Sequence, residues 1–134
     1  MGLSGHSLIL KNDGTLWGCG LNNCGQLGLG DTTNKTTFTQ ITTNADNIKE
    51  VYCGGNHTLI LKNDGTLWGT GRNDYGQLGL GDTTNRTTFT QLITNTNDIK
   101  SVYYGGYHTF ILENDGTLWS TGHNGDGQLG LGGW

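Results

Sequence analysis

The sequence predicts an all-β chain, a partial β-propeller of antiparallel four-stranded blades. Three observations carry that prediction. A motif recurs at a fixed offset of 51 residues: HSLILKNDGTLWGCG at 6–20, HTLILKNDGTLWGTG at 57–71 and HTFILENDGTLWSTG at 108–122. Within each copy, short apolar segments alternate with stretches of Gly, Asn, Asp and Thr, residues that disfavour helix interiors. No window shows helical periodicity over a useful length, and four short strands per unit of about 40–50 residues is the pattern of a propeller blade.

Residues 6–56 and 57–107 agree at 37 of 51 positions, and residues 108–134 agree with the second copy at 19 of 27. The chain therefore reads as one partial-propeller domain over 1–134, with repeats 6–56, 57–107 and 108–134: two full-length repeats and a half. In the second unit HTLILK is apolar on both faces, as a strand covered on both sides should be. NDG follows, and Asp-Gly between two apolar runs is a hairpin signal, because the turn needs a positive φ that Gly tolerates. TLWGTG is the second strand. A long Gly, Asn and Thr loop, RNDYGQLGLGDTTNRT, leads to TFTQLI at 88–93 as the third, and IKSVYYG at 99–105 alternates as the fourth.

The frame in which D-G-x-L-W is followed by G-x-N-x-x-G-Q-L-G resembles the repeat of the regulator-of-chromosome-condensation family, and the likeness covers essentially the whole chain. It implies propeller blades, commonly seven in a ring, which at this period takes roughly 360 residues. Family repeats often carry a Pro before the outer strand, whereas this chain of 134 residues has none. The resemblance also implies a strand order outward from the ring centre, with IKSVYYG as A, HTLILK as B, TLWGTG as C and TFTQLI as D. The chain then runs B-C-D, A-B-C-D, A-B-C.

Bulk properties exclude several classes. A net charge of −4 and a pI near 5.3 argue against a nonspecific nucleic-acid binder, which needs a basic surface. No apolar run is long enough for a membrane helix. The start MGLSGHSLILK has no basic lead-in and does not read as a secretory signal, so a cytoplasmic location with Cys19, Cys24 and Cys53 reduced is expected. The three cysteines also lack zinc spacing, since Thr70, Tyr75 and Tyr104 stand at the same places in the second repeat. His6, His57 and His108 fall one per blade, too far apart to share an ion, and are expected to begin strand B and bond to nearby backbone. GCGLNNCG mimics a phosphate-binding fingerprint without a following helix, and DTTN lacks the Gly and Glu of a calcium loop. Asp13, Asp64 and Asp115 read as turn residues. No catalytic constellation, cofactor motif or metal set emerges, so the expectation is a non-enzyme without cofactors.

Function is expected where the repeats differ. Leu21/Arg72/His123, Asn23/Asp74/Gly125 and Cys24/Tyr75/Asp126 vary between strands C and D; Cys53/Tyr104 and Asn56/Tyr107 vary between A and B. Strands alternate in direction, so both loops emerge at one end of the sheet and the NDG turns at the other. Tyr and Arg dominate binding hot spots, so Arg72, Asp74, Tyr75, Tyr104, Tyr107 and His123 are the candidates for binding a protein partner.

The incomplete first and last blades present open apolar faces and strand edges, which drive association. The expectation is a homo-oligomer, a two-fold dimer first and a trimer second, through Leu8, Leu10, Leu129, Leu131 and Trp134. The leading functional reading is a protein-binding scaffold. One alternative is a stand-alone inhibitor, because the family resembled includes a bacterial inhibitor of β-lactamase. A phage or mobile element could encode such a protein against an enzyme or a CRISPR effector. The other alternative is a fragment or engineered piece of a longer propeller. The family's nucleotide-exchange role towards a Ran-type GTPase finds none of its functional residues here.

Overall fold

The computed structural model describes residues 5–92, 99–104 and 108–122. Its strands form three antiparallel sheets. The first contains β1 (His6–Leu10), β2 (Leu16–Gly20) and β3 (Lys35–Ile41) in that order. The second is four-stranded: β4 (Ile48–Cys53), β5 (His57–Lys62), β6 (Leu67–Gly71) and β7 (Arg86–Gln91). The third contains β8 (Ile99–Tyr104), β9 (His108–Glu113) and β10 (Leu118–Gly122). This is the expected B-C-D, A-B-C-D, A-B-C order, and β4 lies against both β1 and β8, as innermost strands of neighbouring blades should. Among the described residues no helix is long and apolar enough to cross a membrane.

The NDG hairpin is a three-residue turn. The Gly65 amide donates to the Lys62 carbonyl at 3.0 Å, the Lys62 amide donates to the Thr66 carbonyl at 2.9 Å, and Gly65 takes φ 87°. A type I turn closed by a left-handed Gly suits the twist of the flanking strands. Asp64 Oδ1 accepts from both the amide and the hydroxyl of Thr66, at 2.9 and 2.6 Å, and the Thr66 hydroxyl accepts from Trp68 Nε1 at 2.8 Å. The relay Asp13–Thr15–Trp17 is the same in the first blade. In the third, Trp119 donates instead to Glu113, which stands where Lys11 and Lys62 lie over their own Trp rings.

Strand D sits two residues earlier than the expected 88–93. The ladder between β6 and β7 slips between Gly69 and Gly71, pairing Gly71 with Arg86. Such a bulge adds a residue that alternation alone does not reveal.

The core lies between the sheets rather than within one. One cluster joins Leu16 and Ile41 of the first blade to Ile60 and Phe89 of the second. The other joins Leu59, Leu61, Leu67 and Leu78 of the second to Val102 and Ile111 of the third. Strand β5, covered on both sides, is buried at all six positions. Its two faces divide the work: Leu59 and Leu61 face the third blade, and Ile60 faces the first.

Candidate protein-binding face

The end of the sheets that carries the A–B and C–D loops is held by a polar scaffold. Asn73 is fully buried and uses its whole amide: its Nδ2 donates to the Asp82 carbonyl and carboxylate and to the Thr84 carbonyl, each at 3.0 Å, and its Oδ1 accepts from the Leu78 amide at 2.9 Å. Asn22 does the same for the first loop. Gln77 Oε1 takes the Tyr75 amide at 2.9 Å, and its counterpart Gln26 takes the Cys24 amide at 2.8 Å. A buried amide so completely satisfied fixes one loop conformation, since each lost partner leaves a desolvated polar group. The G-x-N-x-x-G-Q frame is thus structural: its Asn and Gln shape the loop, and Asp31 and Asp82 of the DTTN segments brace it while paired with Lys35 and Arg86 at 3.2 and 2.6 Å.

The same loop clamps the next blade. The Thr58 hydroxyl donates to the Gln26 carbonyl at 2.7 Å, and the Thr70 hydroxyl to the Gly25 carbonyl at 2.7 Å. One blade further on, Thr109 donates to the Gln77 carbonyl at 2.8 Å and Thr121 to the Gly76 carbonyl at 2.5 Å. The histidines belong to this joint. His6 Nε2 lies 2.8 Å from Thr58 Oγ1, and His57 Nε2 lies 3.4 Å from Thr109 Oγ1. The expected bond to nearby backbone is therefore replaced mainly by a hydroxyl of the adjoining blade. His57 Nδ1 is buried and has no partner among the described residues. Burial, followed by the charges of His6 and His108, pushes its pKa down to about 4.

On this scaffold the varying residues stand outward. Arg72 and Asp74 form a two-pronged ion pair, Nε to Oδ1 at 2.9 Å and Nη2 to Oδ2 at 2.7 Å, and the Arg72 contact holds the Asp74 carboxyl below its usual range. Tyr75, next to the pair, is 44% exposed. The Arg72 amide donates to the Asn56 carbonyl at 2.9 Å, which joins the start of the C–D loop to the A–B turn and places both at one end, as expected. Tyr104 ends β8 opposite Thr109, whose hydroxyl reaches Gln77, so the backbone of Tyr104 belongs to the same end. Tyr107 and His123 lie outside the described residues. Burial raises the thiol pKa of Cys53 to about 11 and that of Cys24 above its ordinary value. Among the described residues no three His, Cys, Asp or Glu side chains gather to hold a metal.

The self-association candidates need one correction. Leu8 is half-buried and packs into the cluster between the first two blades, so it does not face outward. Leu10 is exposed at the end of β1, and Leu129, Leu131 and Trp134 lie outside the described residues. The exposed apolar residues that the sequence reading missed are Ile9, Phe38, Tyr103, Leu118 and Trp119. The sequence did not mark them: Ile9 and Phe38 stand at the places of Ile60 and Phe89, which are buried in the complete blade.

Comparison with known proteins adds the following. The model of the Regulator of chromosome condensation (RCC1) repeat matches residues 13–61 and 64–112, and a second model of that repeat matches 48–77 and 99–128. The chain is 38% identical over 130 residues to the human X-linked retinitis pigmentosa GTPase regulator, and 36% identical over 129 residues to the ultraviolet-B receptor UVR8 of Arabidopsis thaliana. It covers 13% and 29% of those relatives, with 94% and 95% of its own length aligned. Among solved structures, yeast RCC1 (Prp20) bound to Kap60 superposes with a TM-score of 0.75 at 28% identity, over 88% of this chain and 28% of that one. Human WBSCR16 superposes with a TM-score of 0.77 at 25% identity, over 90% of this chain and 32% of that one. The crystal structure of Prp20p from Saccharomyces cerevisiae, a protein described with binding properties to Gsp1p and histones, superposes with a TM-score of 0.74 at 27% identity, over 88% of this chain and 28% of that one.

Proposed function

Since the chain belongs to the Regulator of chromosome condensation (RCC1) repeat family, we propose that it is a non-enzymatic protein-binding module whose partner docks on the loop end of the second and third blades. The observation that carries this reading is the exposed Tyr75 beside the Arg72–Asp74 pair, held on a loop whose shape is set by buried Asn73 and Gln77. Rigid aromatic and guanidinium groups bury large area at small entropic cost. The scaffold is repeated from blade to blade, while Arg72, Asp74 and Tyr75 replace Leu21, Asn23 and Cys24. A shared fold with a locally distinct patch is what recognition of a protein needs. Relatives support the class: the yeast proteins are described with Kap60, Gsp1p and histones.

We also propose that the chain self-associates, a reading supported by the apolar side chains exposed on its first and third blades.

The test of the binding face is affinity capture with the wild-type chain and with an Arg72→Ala/Tyr75→Ala variant of unchanged circular dichroism. One protein should be retained by the first and lost from the second, with each hot spot costing about 2 kcal/mol in a titration of that protein. Equal retention by both would reject the face.

A further inference from the structure

We propose that the third blade positions the binding residues of the second: the Thr109 hydroxyl, engaged by His57, fixes the loop that carries Asp74 and Tyr75. This rests on the binding face proposed above and names the residues that hold that face in place.

Thr109 is the second residue of β9 and is wholly buried. A hydroxyl has one hydrogen, and Thr109 gives it to the Gln77 carbonyl at 2.8 Å. Towards His57 Nε2, 3.4 Å away, its oxygen can then only accept. His57 therefore carries its hydrogen on Nε2, and Nδ1 is the bare nitrogen. That is the ring atom without a partner among the described residues. The joint between the first two blades is built the same way: the Thr58 hydroxyl donates to the Gln26 carbonyl at 2.7 Å and lies 2.8 Å from His6 Nε2.

Gln77 carries the effect outward. Its carbonyl is held by the third blade, while its side chain belongs to the loop. Oε1 accepts the Tyr75 amide at 2.9 Å, and Nε2 donates to Asp74 Oδ1 at 3.4 Å. Asp74 in turn holds Arg72. The neighbouring Gly76 carbonyl takes the Thr121 hydroxyl at 2.5 Å, so two consecutive carbonyls of the loop end on hydroxyls of the next blade. From the other side, the carbonyl of Asn56, next to His57 in the chain, accepts the Arg72 amide at 2.9 Å. Asn73 sets the internal shape of the loop; the Thr109 and Thr121 bonds set where that shape sits. A buried network with its donors so placed is rigid. By linkage, a partner that favours the positioned loop favours the docked third blade by the same factor.

The test is native-state amide exchange at Tyr75 and Cys24, read by NMR at neutral pH. Both amides donate to a Gln side chain in equivalent loops, so each is the control for the other. Thr109→Val keeps the shape and removes the hydroxyl. It should speed Tyr75 exchange by about tenfold, the loss of one buried hydrogen bond, and leave Cys24 within about twofold. Thr58→Val should do the reverse. Thr109→Ser, which keeps the hydroxyl, should restore Tyr75 protection. Should Thr109→Val fail to fold, Thr121→Val replaces it with the same expectation. In the wild type, the ring nitrogen shifts of His57 should report the Nε2–H tautomer. Tyr75 exchange unchanged by loss of the hydroxyl, or a rise shared equally by both loops, overturns the proposal, as does an Nδ1–H tautomer. No partner enters these measurements. Their failure leaves the binding face to its own capture experiment, and a failed capture leaves this positioning standing.

Discussion

At the scale of single residues, the molecule depends on a few buried polar groups that have no tolerance for loss. Asn73 makes four side-chain bonds within one loop. Asn73→Ala should cost about 2–3 kcal/mol, because it strands the buried Leu78 amide and removes three further bonds that shape the loop; a shift of the denaturation midpoint checks this, and a change below about 0.5 kcal/mol would contradict it. His57 supplies a pH dependence. Its folded pKa near 4 lies below its ordinary 6.5, so the fold binds the neutral ring and the unfolded chain takes up the proton first. Its contribution is therefore full above about pH 6.5 and is lost as pH falls towards 4, by about 3 kcal/mol in all. His57→Gln should flatten the stability profile across that window, which urea titrations at stepped pH will measure. An unchanged slope would remove His57 from the account. The sequence marked His57 as a strand-start residue, but its partner Thr109 lies 52 positions away, a distance that no local pattern reveals.

At the scale of elements, the hairpins and strand order were legible and the bulges were not. Asp-Gly between apolar runs announced each B–C turn, and the alternation of IKSVYYG marked strand A. The register slip at Gly69/Gly71 moved strand D because a bulge leaves the amino-acid pattern intact. The direction of Leu8 was missed for a related reason: a strand apolar on both sides has no polar face to orient it. The glycines separate two demands. Gly14 has φ 89° and open space around its missing Cβ, whereas a Cβ at Gly71, φ 110°, would lie 2.6 Å from the Asn56 carbonyl oxygen. Gly14→Ala should cost about 1–2 kcal/mol, the strain of a left-handed conformation. Gly71→Ala should cost distinctly more, because it also pushes the A–B turn away from the C–D loop. Thermal unfolding of the two variants side by side checks the order, and equal costs would show that the contact yields.

At the scale of the whole molecule, the described blades are linked by a repeated joint: loop carbonyls of a blade take threonine hydroxyls of the next, and leucines of a blade meet Ile60 and Phe89 at the first joint and Val102 and Ile111 at the second. The function proposed for it uses the loops that vary between repeats, while the near-repeated blade faces hold the blades to one another. The period and the apolar segments made the blades readable from the sequence. Which face of each blade stays open was not readable, since it depends on which neighbour is present. The most direct measurement of this account is a calorimetric titration of the protein retained by the chain, with the wild type and with the Arg72→Ala/Tyr75→Ala variant. The account predicts a loss of about 2 kcal/mol or more for each of the two side chains. An affinity unchanged by the double substitution would contradict it.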